Sequence, residues 1–472
     1  MLASFGRINM KTNATGQYSF VFSPGVFAVG VFAFVVLGCE MLNAPLKDDI
    51  DYNLSVVPVT GESELVAAIN AVPSGGSGVF TVMCDITISN TININSNKTI
   101  TLEAYAGTDR TMRLLWGGPS GNHLFNLQNG SLTLGTGRDK GTMVLDGGGI
   151  SGSLVRVGGT GYGNLILNKG AELRKANNGV GMDASSGSAT FIMNGGTISR
   201  NGCGVAVSSS TSSSATFIMN GGTISWNIGG GGGVAMTSSS SFTTFVMNGG
   251  TISENGDTNG GGVNVSTSGS HFIMTGGTIS GNTGSSDGGG VWVGGGGIFT
   301  MTGGTISGNT SPGGGGGGVY MGGSGSFDMS GGTIGGNTSS YLGGGVCVDG
   351  NFTMSGGTIS GNTGPSGGGG VYVDGGSFTM SGGTISGNTA SLGGGVSINS
   401  GIFTKTGGTI FGNTGTGNAN VAQNGTCGHA VYYAPAEEYY CDTTLNGGDN
   451  ISTTGVLPGS PGTTLNNWIR KS

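Results

Sequence analysis

Apolar and polar positions alternate in three short runs, and the three runs recur together. In the copy that begins at Phe352 they read Phe352-Thr-Met354, Thr358-Ile-Ser360 and Val371-Tyr-Val373. A period of two puts the outer residues of each run on one face of a strand and the middle residue on the other. The pair Gly356-Gly357 and the glycine run 367–370 separate the runs. Each glycine would cost a helix about 1 kcal/mol, whereas glycine suits the corners between strands. The phrase restarts at Phe191, Phe217, Phe245, Phe272, Phe299, Phe327, Phe352, Phe378 and Phe403, at spacings of 26, 28, 27, 27, 28, 25, 26 and 25 residues. A period this regular is the signature of a solenoid.

One copy alone cannot fold, because its few apolar side chains cannot offset the entropy of ordering a whole coil. Stacking supplies the rest, each strand pairing with its equivalents in the coils above and below. The expected fold is therefore all-β: a single-stranded parallel β-helix with three short strands per coil of about 25–28 residues. The inward columns are Phe at the first position, Met193 to Met380 at the third and Ile198 to Ile410 in the middle strand. Lys405 ends the Met column, as expected where a core column meets solvent. A fourth column holds Asn201, Asn227, Asn255, Asn282, Asn309, Asn337, Asn362, Asn388 and Asn413. Asn at a corner tolerates left-handed backbone and can bond its own backbone or the Asn of the next coil. Identical residues in nine copies imply a shared mechanical job rather than a catalytic one. The Met column likewise reads as core filler, not as a copper site.

Taken in order, residues 1–39 read as an export signal. Arg7 and Lys11 precede an apolar stretch at 26–37, and no acidic residue occurs before Glu40. That stretch is too short for a comfortable membrane span, and Met10 offers a second start site. Residues 40–60 read as a tether. In 61–164, Leu65, Ala68, Ile69 and Val72 follow helical spacing up to Pro73 and predict a short capping helix; the rest is strand-rich but irregular, the first coils of the stack. Residues 165–413 hold the regular coils, beginning with a degenerate copy at Leu165-Ile-Leu167. Residues 414–472 read as a C-terminal cap.

Charge narrows the functions. The net charge is −7, and residues 191–413 contain only Arg200 and Lys405 as cations, which excludes electrostatic binding of nucleic acid. The six cysteines show no zinc spacing, and the three histidines are isolated. No cofactor or metal set is expected. Cys203 and Cys347 are separated by about six coils, too far to bridge. Cys427 and Cys441 can close a short loop by a disulfide in an exported protein.

Two resemblances add to this reading. Val36-Leu-Gly-Cys39 resembles a bacterial lipobox, which implies lipidation at Cys39 and a mature chain starting there. The phrases Phe-x-Met-x-Gly-Gly-Thr-Ile-Ser-x-Asn and Gly-Gly-Gly-Val-x-Val resemble those of bacterial right-handed parallel β-helix surface proteins, among them repeat-bearing lipoproteins of spirochaetes and gut bacteria. They are similar also to chlamydial polymorphic outer-membrane proteins, whose Phe-x-x-Asn pattern Phe191–Asn194, Phe217–Asn220 and Phe245–Asn248 satisfy. Thr replaces Ala in the family's Gly-Gly-Ala-Ile. The resemblance implies right-handed winding and surface exposure. No autotransporter barrel is read in the chain, so the expected attachment is to the cell envelope through lipid at Cys39.

Whatever differs between copies is where function is to be sought. The outward position of Val-x-Val reads Ala206, Ala235, Asn264, Trp292, Tyr320, Cys347, Tyr372 and Ser397. Trp292, Tyr320 and Tyr372 form an aromatic stripe that can stack on sugar rings or pack under a glycine loop. Asp349 and Asp374 follow equivalent strands one coil apart, spaced to hold a cation or to sit as solvated turn residues. Asp287 before three glycines resembles calcium-binding nonapeptide repeats, which carry Asp in every copy. Another outward row is apolar at Ile192, Ile218, Val246 and Ile273 and polar from Thr300 onward, a stripe that a loop or partner would cover. The expected function is a monomeric, surface-exposed, lipid-anchored scaffold, structural or adhesin-like, without a catalytic site. The alternatives are a carbohydrate-binding module and a polysaccharide lyase or hydrolase. Partners would be the membrane, through the lipid, and a glycan or a host or cell-surface protein.

Overall fold

The computed structural model describes residues 56–433 except 106–109, 136, 138–140, 211, 238–241, 413–418 and 424–429. Beyond that range it describes only the strands Asn9–Thr12, Tyr18–Val21, Glu438–Asp442, Gly455–Leu457 and Trp468–Lys471. The chain divides into two units, Met1–Asp49 and Ile50–Ser472. In the first, Asn9–Thr12 and Tyr18–Val21 pair antiparallel. The rest of the expected signal segment, Cys39 included, lies outside the described residues.

The second unit winds through about 13 turns of a parallel β-helix with three strands per coil. One coil consists of Ser188–Met193, Thr197–Ser199 and Cys203–Ser209, and pairs in parallel with Ser214–Met219, Thr223–Ser225 and Gly232–Met236 of the next. Like sits on like: Phe191 opposes Phe217, Met193 opposes Met219 and Ile198 opposes Ile224. The Phe rings from Phe191 to Phe403 form one buried stack, with centroids 4.5–4.9 Å apart and planes within 15°. That separation is the spacing between strands in a sheet, so the backbone ladder and the ring stack share one repeat. The second glycine of each Gly-Gly-Thr corner is obligatory. At Gly304, φ is +86° and a Cβ would stand 2.6 Å from Met274 Cε of the preceding coil.

The Asn side chains bond from coil to coil as expected, but the left-handed corner is not their own. The left-handed corner belongs to the residue before each Asn: Arg200, Trp226 and Glu254 (φ +57° to +58°), then Gly281, Gly308, Gly336, Gly361 and Gly387 (φ +63° to +67°). The Asn side chains themselves point inward and are buried. Asn309 Oδ1 accepts both the backbone N–H and an Nδ2–H of Asn282, at 3.0 and 2.9 Å. Its Nδ2 donates to the Ile279 carbonyl at 3.0 Å and to Asn337 Oδ1 at 2.9 Å. The four hydrogen-bonding places of the carboxamide are thus filled. Beyond Asn388 the column continues with Asn420, whose Oδ1 accepts from Asn388 Nδ2 at 2.9 Å. The expected member, Asn413, lies outside the described residues.

The early coils carry the same columns in Leu and Ile. Ile100, Leu132 and Leu165 lead to Phe191, and Leu102, Leu134 and Leu167 lead to Met193. Helix α1, Glu62–Ala71, buries Leu65 and Ile69 against this core. Its last carbonyls accept from Lys98 Nζ (Ile69 at 3.0 Å, Asn70 at 3.2 Å), a cation placed at the negative end of the helix. At the end of the expected 40–60 tether, Val56–Val59 forms a strand paired with Ser77–Val82. At the other end, Lys405 is fully buried rather than facing solvent, with Nζ donating to the Gly408 carbonyl at 2.8 Å. Gly455–Leu457 runs antiparallel along Phe403–Lys405, and Glu438–Asp442 along Val431–Tyr433. Antiparallel strands therefore occupy edges that a further coil would otherwise pair with. The Cys427–Cys441 pairing lies outside the described residues.

A second parallel ladder of seven very short strands, Gly256–Asn259 to Val421–Ala422, runs just after the Asn column. The alternation pattern does not reveal it, since its strands are mostly two residues long. Its signal is the Thr that follows Asn in Asn282-Thr283, Asn309-Thr310, Asn337-Thr338, Asn362-Thr363 and Asn388-Thr389.

Candidate functional site

Glycine runs lead from this short ladder into the Val-x-Val strands. They vary in length and sequence from coil to coil, so this side of the solenoid is not smooth. An open groove of about 730 Å³ crosses four consecutive coils here, lined by Asp287, Tyr320, Tyr341, Cys347, Asp349 and Asp374 with glycine backbone at 313–315. Tyr341 comes from the turn after Thr338–Ser339, which is fixed to its neighbour by a Leu342–Gly367 bridge and a 2.9 Å bond from the Ser366 N–H to the Tyr341 carbonyl.

The outward row is in register as expected: Trp292 opposes Tyr320, Tyr320 opposes Cys347 and Cys347 opposes Tyr372. Its exposure differs from a flat aromatic stripe. Tyr372 is 8 % and Cys347 4 % exposed, sunk beneath backbone that lacks side chains. A Cβ on Gly367 would lie 3.3 Å from the Tyr372 ring, and one on Gly315 would lie 2.9 Å from Cys347 Sγ. Tyr372 is therefore packed under glycine, while Trp292 and Tyr320 are half-buried. The exposed ring of the groove is Tyr341, at 54 %. Sequence reasoning missed it because Tyr341 precedes the glycine run instead of lying in an alternating strand, and the equivalent places in the next two copies hold Ser366 and Ser391.

Asp349 and Asp374 lie on adjacent coils but are tied in opposite directions. Asp349 Oδ2 accepts the Gly323 N–H at 3.2 Å, one coil back. Asp374 Oδ1 accepts from Asn399 Nδ2 at 3.0 Å and from Ser400 Oγ at 3.2 Å, one coil on. Asp287 Oδ1 accepts the Gly315 N–H at 2.9 Å. Each carboxylate thus has one anchored oxygen, and its other oxygen has no hydrogen-bond partner among the described residues. No group of three acidic, His or Cys residues that could hold a metal ion occurs among the described residues.

Burial, reinforced by Cys347, Asp287, Asp349 and Asp374, raises the Tyr320 phenol well above its ordinary value. Burial and the same carboxylates raise the Cys347 thiol, and burial with Asp257 pushes the Cys203 thiol up to about 12. Both thiols are protonated at neutral pH and so are poor nucleophiles. His123 and His271 are shifted down, chiefly by burial, and are neutral there as well. His271 Nε2 pairs with Thr300 Oγ1 at 2.9 Å; His429 lies outside the described residues. The apolar row at Ile192, Ile218, Val246 and Ile273 is half-buried, between flanking polar rows. Along one of those rows, Asn194, Asn220 and Asn248 join by Nδ2-to-Oδ1 bonds of 2.9 Å.

No family model matches the chain, and no curated protein or solved structure matches it either.

Proposed function

We propose that the chain is an exported scaffold of the bacterial cell envelope, lipid-anchored through Cys39, with a structural or adhesin-like role and no catalytic site. The observation that carries this reading is how variation is distributed. The inward Phe, Ile and Asn columns are held coil after coil, while the outward row beside them changes from Ala to Asn, Trp, Tyr and Cys. A chain that keeps its interior fixed and varies its surface suits display rather than turnover. The apolar stretch ending in Leu37-Gly-Cys39, and the likeness of the repeats to bacterial β-helix surface proteins, support export and anchoring.

The test is metabolic labelling with a radiolabelled fatty acid, comparing wild type with Cys39→Ala, followed by protease treatment of intact cells. Label on the wild type that is lost in the variant, together with cleavage of the repeats from outside, is the expected result. Equal labelling of the two would overturn the anchor.

A further inference from the structure

We propose that the groove across the Trp292 to Tyr372 coils binds a neutral oligosaccharide laid along the solenoid axis, with Tyr341 as its stacking surface and Asp287, Asp349 and Asp374 as hydrogen-bond acceptors for sugar hydroxyls. This deepens the scaffold reading by giving its surface a ligand, and rests on that reading only for where the ligand would be met.

Three observations converge. The first is ring exposure: Tyr341 stands 54 % exposed at the groove, and a flat aromatic face with a polar tip suits the apolar face of a pyranose ring beside its hydroxyls. The second is the state of the acceptors. Asp287, Asp349 and Asp374 are each held through one oxygen by a bond from a neighbouring coil, which fixes orientation and leaves the second oxygen for a donor. Ionised carboxylates accept only, and sugars offer many O–H donors. The third is spacing. The acceptors are spread over three of the four coils, Asp287 two coils before Asp349 and Asp374 one coil after it, at about 4.8 Å per coil. No group of three acidic, His or Cys residues that could hold a metal ion occurs among the described residues. A compact cation needs converging ligands, whereas a chain of hydroxyl-bearing rings meets acceptors one after another. The glycine backbone at 313–315 provides a side-chain-free wall.

The sign of the groove selects among glycans. The only cations in residues 191–413 are Arg200 and Lys405, and Lys405 is buried. Uronate polymers would meet three carboxylates with no compensating base. Polyuronates are therefore rejected, and among uncharged and anionic glycans the groove selects the uncharged.

The test uses the purified full chain and measures binding to cellohexaose, mannohexaose, maltohexaose and a galactan, with hexagalacturonate and hexalysine as charged comparators. The expected result is saturable binding of at least one neutral glycan and none of hexagalacturonate. Tyr341→Ala should weaken that binding about tenfold, Tyr341→Phe should restore most of it, and Asp349→Asn should weaken it severalfold. Unchanged thermal melting of each variant separates loss of binding from loss of fold. Four results would overturn the proposal: no neutral glycan binding at millimolar concentration, hexagalacturonate binding as well as the neutral probes, displacement of the glycan by hexalysine at equal concentration, or no effect of Tyr341→Ala. Cys39→Ala should leave glycan binding intact, so a failed anchor and a failed groove give different results.

Discussion

The backbone just before each buried Asn turns left-handed, a conformation that costs a residue with a Cβ roughly 1–2 kcal/mol. In the later coils glycine occupies this place, but Arg200, Trp226 and Glu254 occupy it in the first three regular copies. Arg200 and Glu254 are exposed, so their side chains contribute little packing that would justify the strain. Glycine gives part of the relief back through the greater freedom of its unfolded chain. Arg200→Gly and Glu254→Gly are each expected to stabilise the fold by about 0.5–1 kcal/mol, read as a higher midpoint in urea denaturation. A lower midpoint for both would show that the long side chains hold these corners in a way the backbone does not reveal. The same position shows why sequence alone misassigned the corner. Asn is the invariant residue and is known to tolerate left-handed backbone, so it drew the assignment, while the strained residue beside it varies.

At the scale of the element, two Asn ladders climb the same solenoid with the same side-chain bond and unequal consequences. In the exposed ladder, Asn220 donates to Asn194 and accepts from Asn248 at 2.9 Å, with water as a ready substitute. In the buried ladder, Asn309 completes two donors of Asn282 and two acceptors on Ile279 and Asn337. Its removal strands groups that water cannot reach. Asn309→Ala is expected to cost about 3–5 kcal/mol and Asn220→Ala less than about 1 kcal/mol, compared by thermal melting. Equal losses would contradict the assignment of the buried ladder as a core element. Much of this was legible in sequence: alignment of copies at a period near 26 finds the Phe, Met, Ile and Asn columns, because equal residues in equal places must stack. The ladder of two-residue strands was not, because two residues are too few for alternation to register. Nor was the groove. Its shape depends on glycine runs of unequal length, and its exposed ring, Tyr341, lies outside the alternating strands at a place where the next two copies carry Ser366 and Ser391. Lys405 was misread because a column ending in a charge looks like an end in solvent, whereas the last coil is overlaid by the returning strand Gly455–Leu457.

The whole solenoid is a sum of like interfaces, so its stability should be divisible by coils but not by fractions of a coil. Deleting residues 272–298, one full period, would bring Phe299 onto Phe245 and keep every column continuous. This variant is expected to retain the β-sheet circular dichroism spectrum and melt cooperatively, a few degrees lower at most. Deleting 13 residues from the same stretch would set strands against corners and is expected to prevent folding; tolerance of that deletion would refute the stacked-column account. The ring stack and the ladders have a further consequence under load. Strands lie across the long axis, so tension applied between the ends of the solenoid peels coils from an exposed end instead of shearing all of them together. Each coil that yields releases roughly 90 Å of slack, at about 3.4 Å per residue for some 26 residues. The remaining stack is left intact to carry the next pull, so the chain can act as a shock absorber that lengthens in steps.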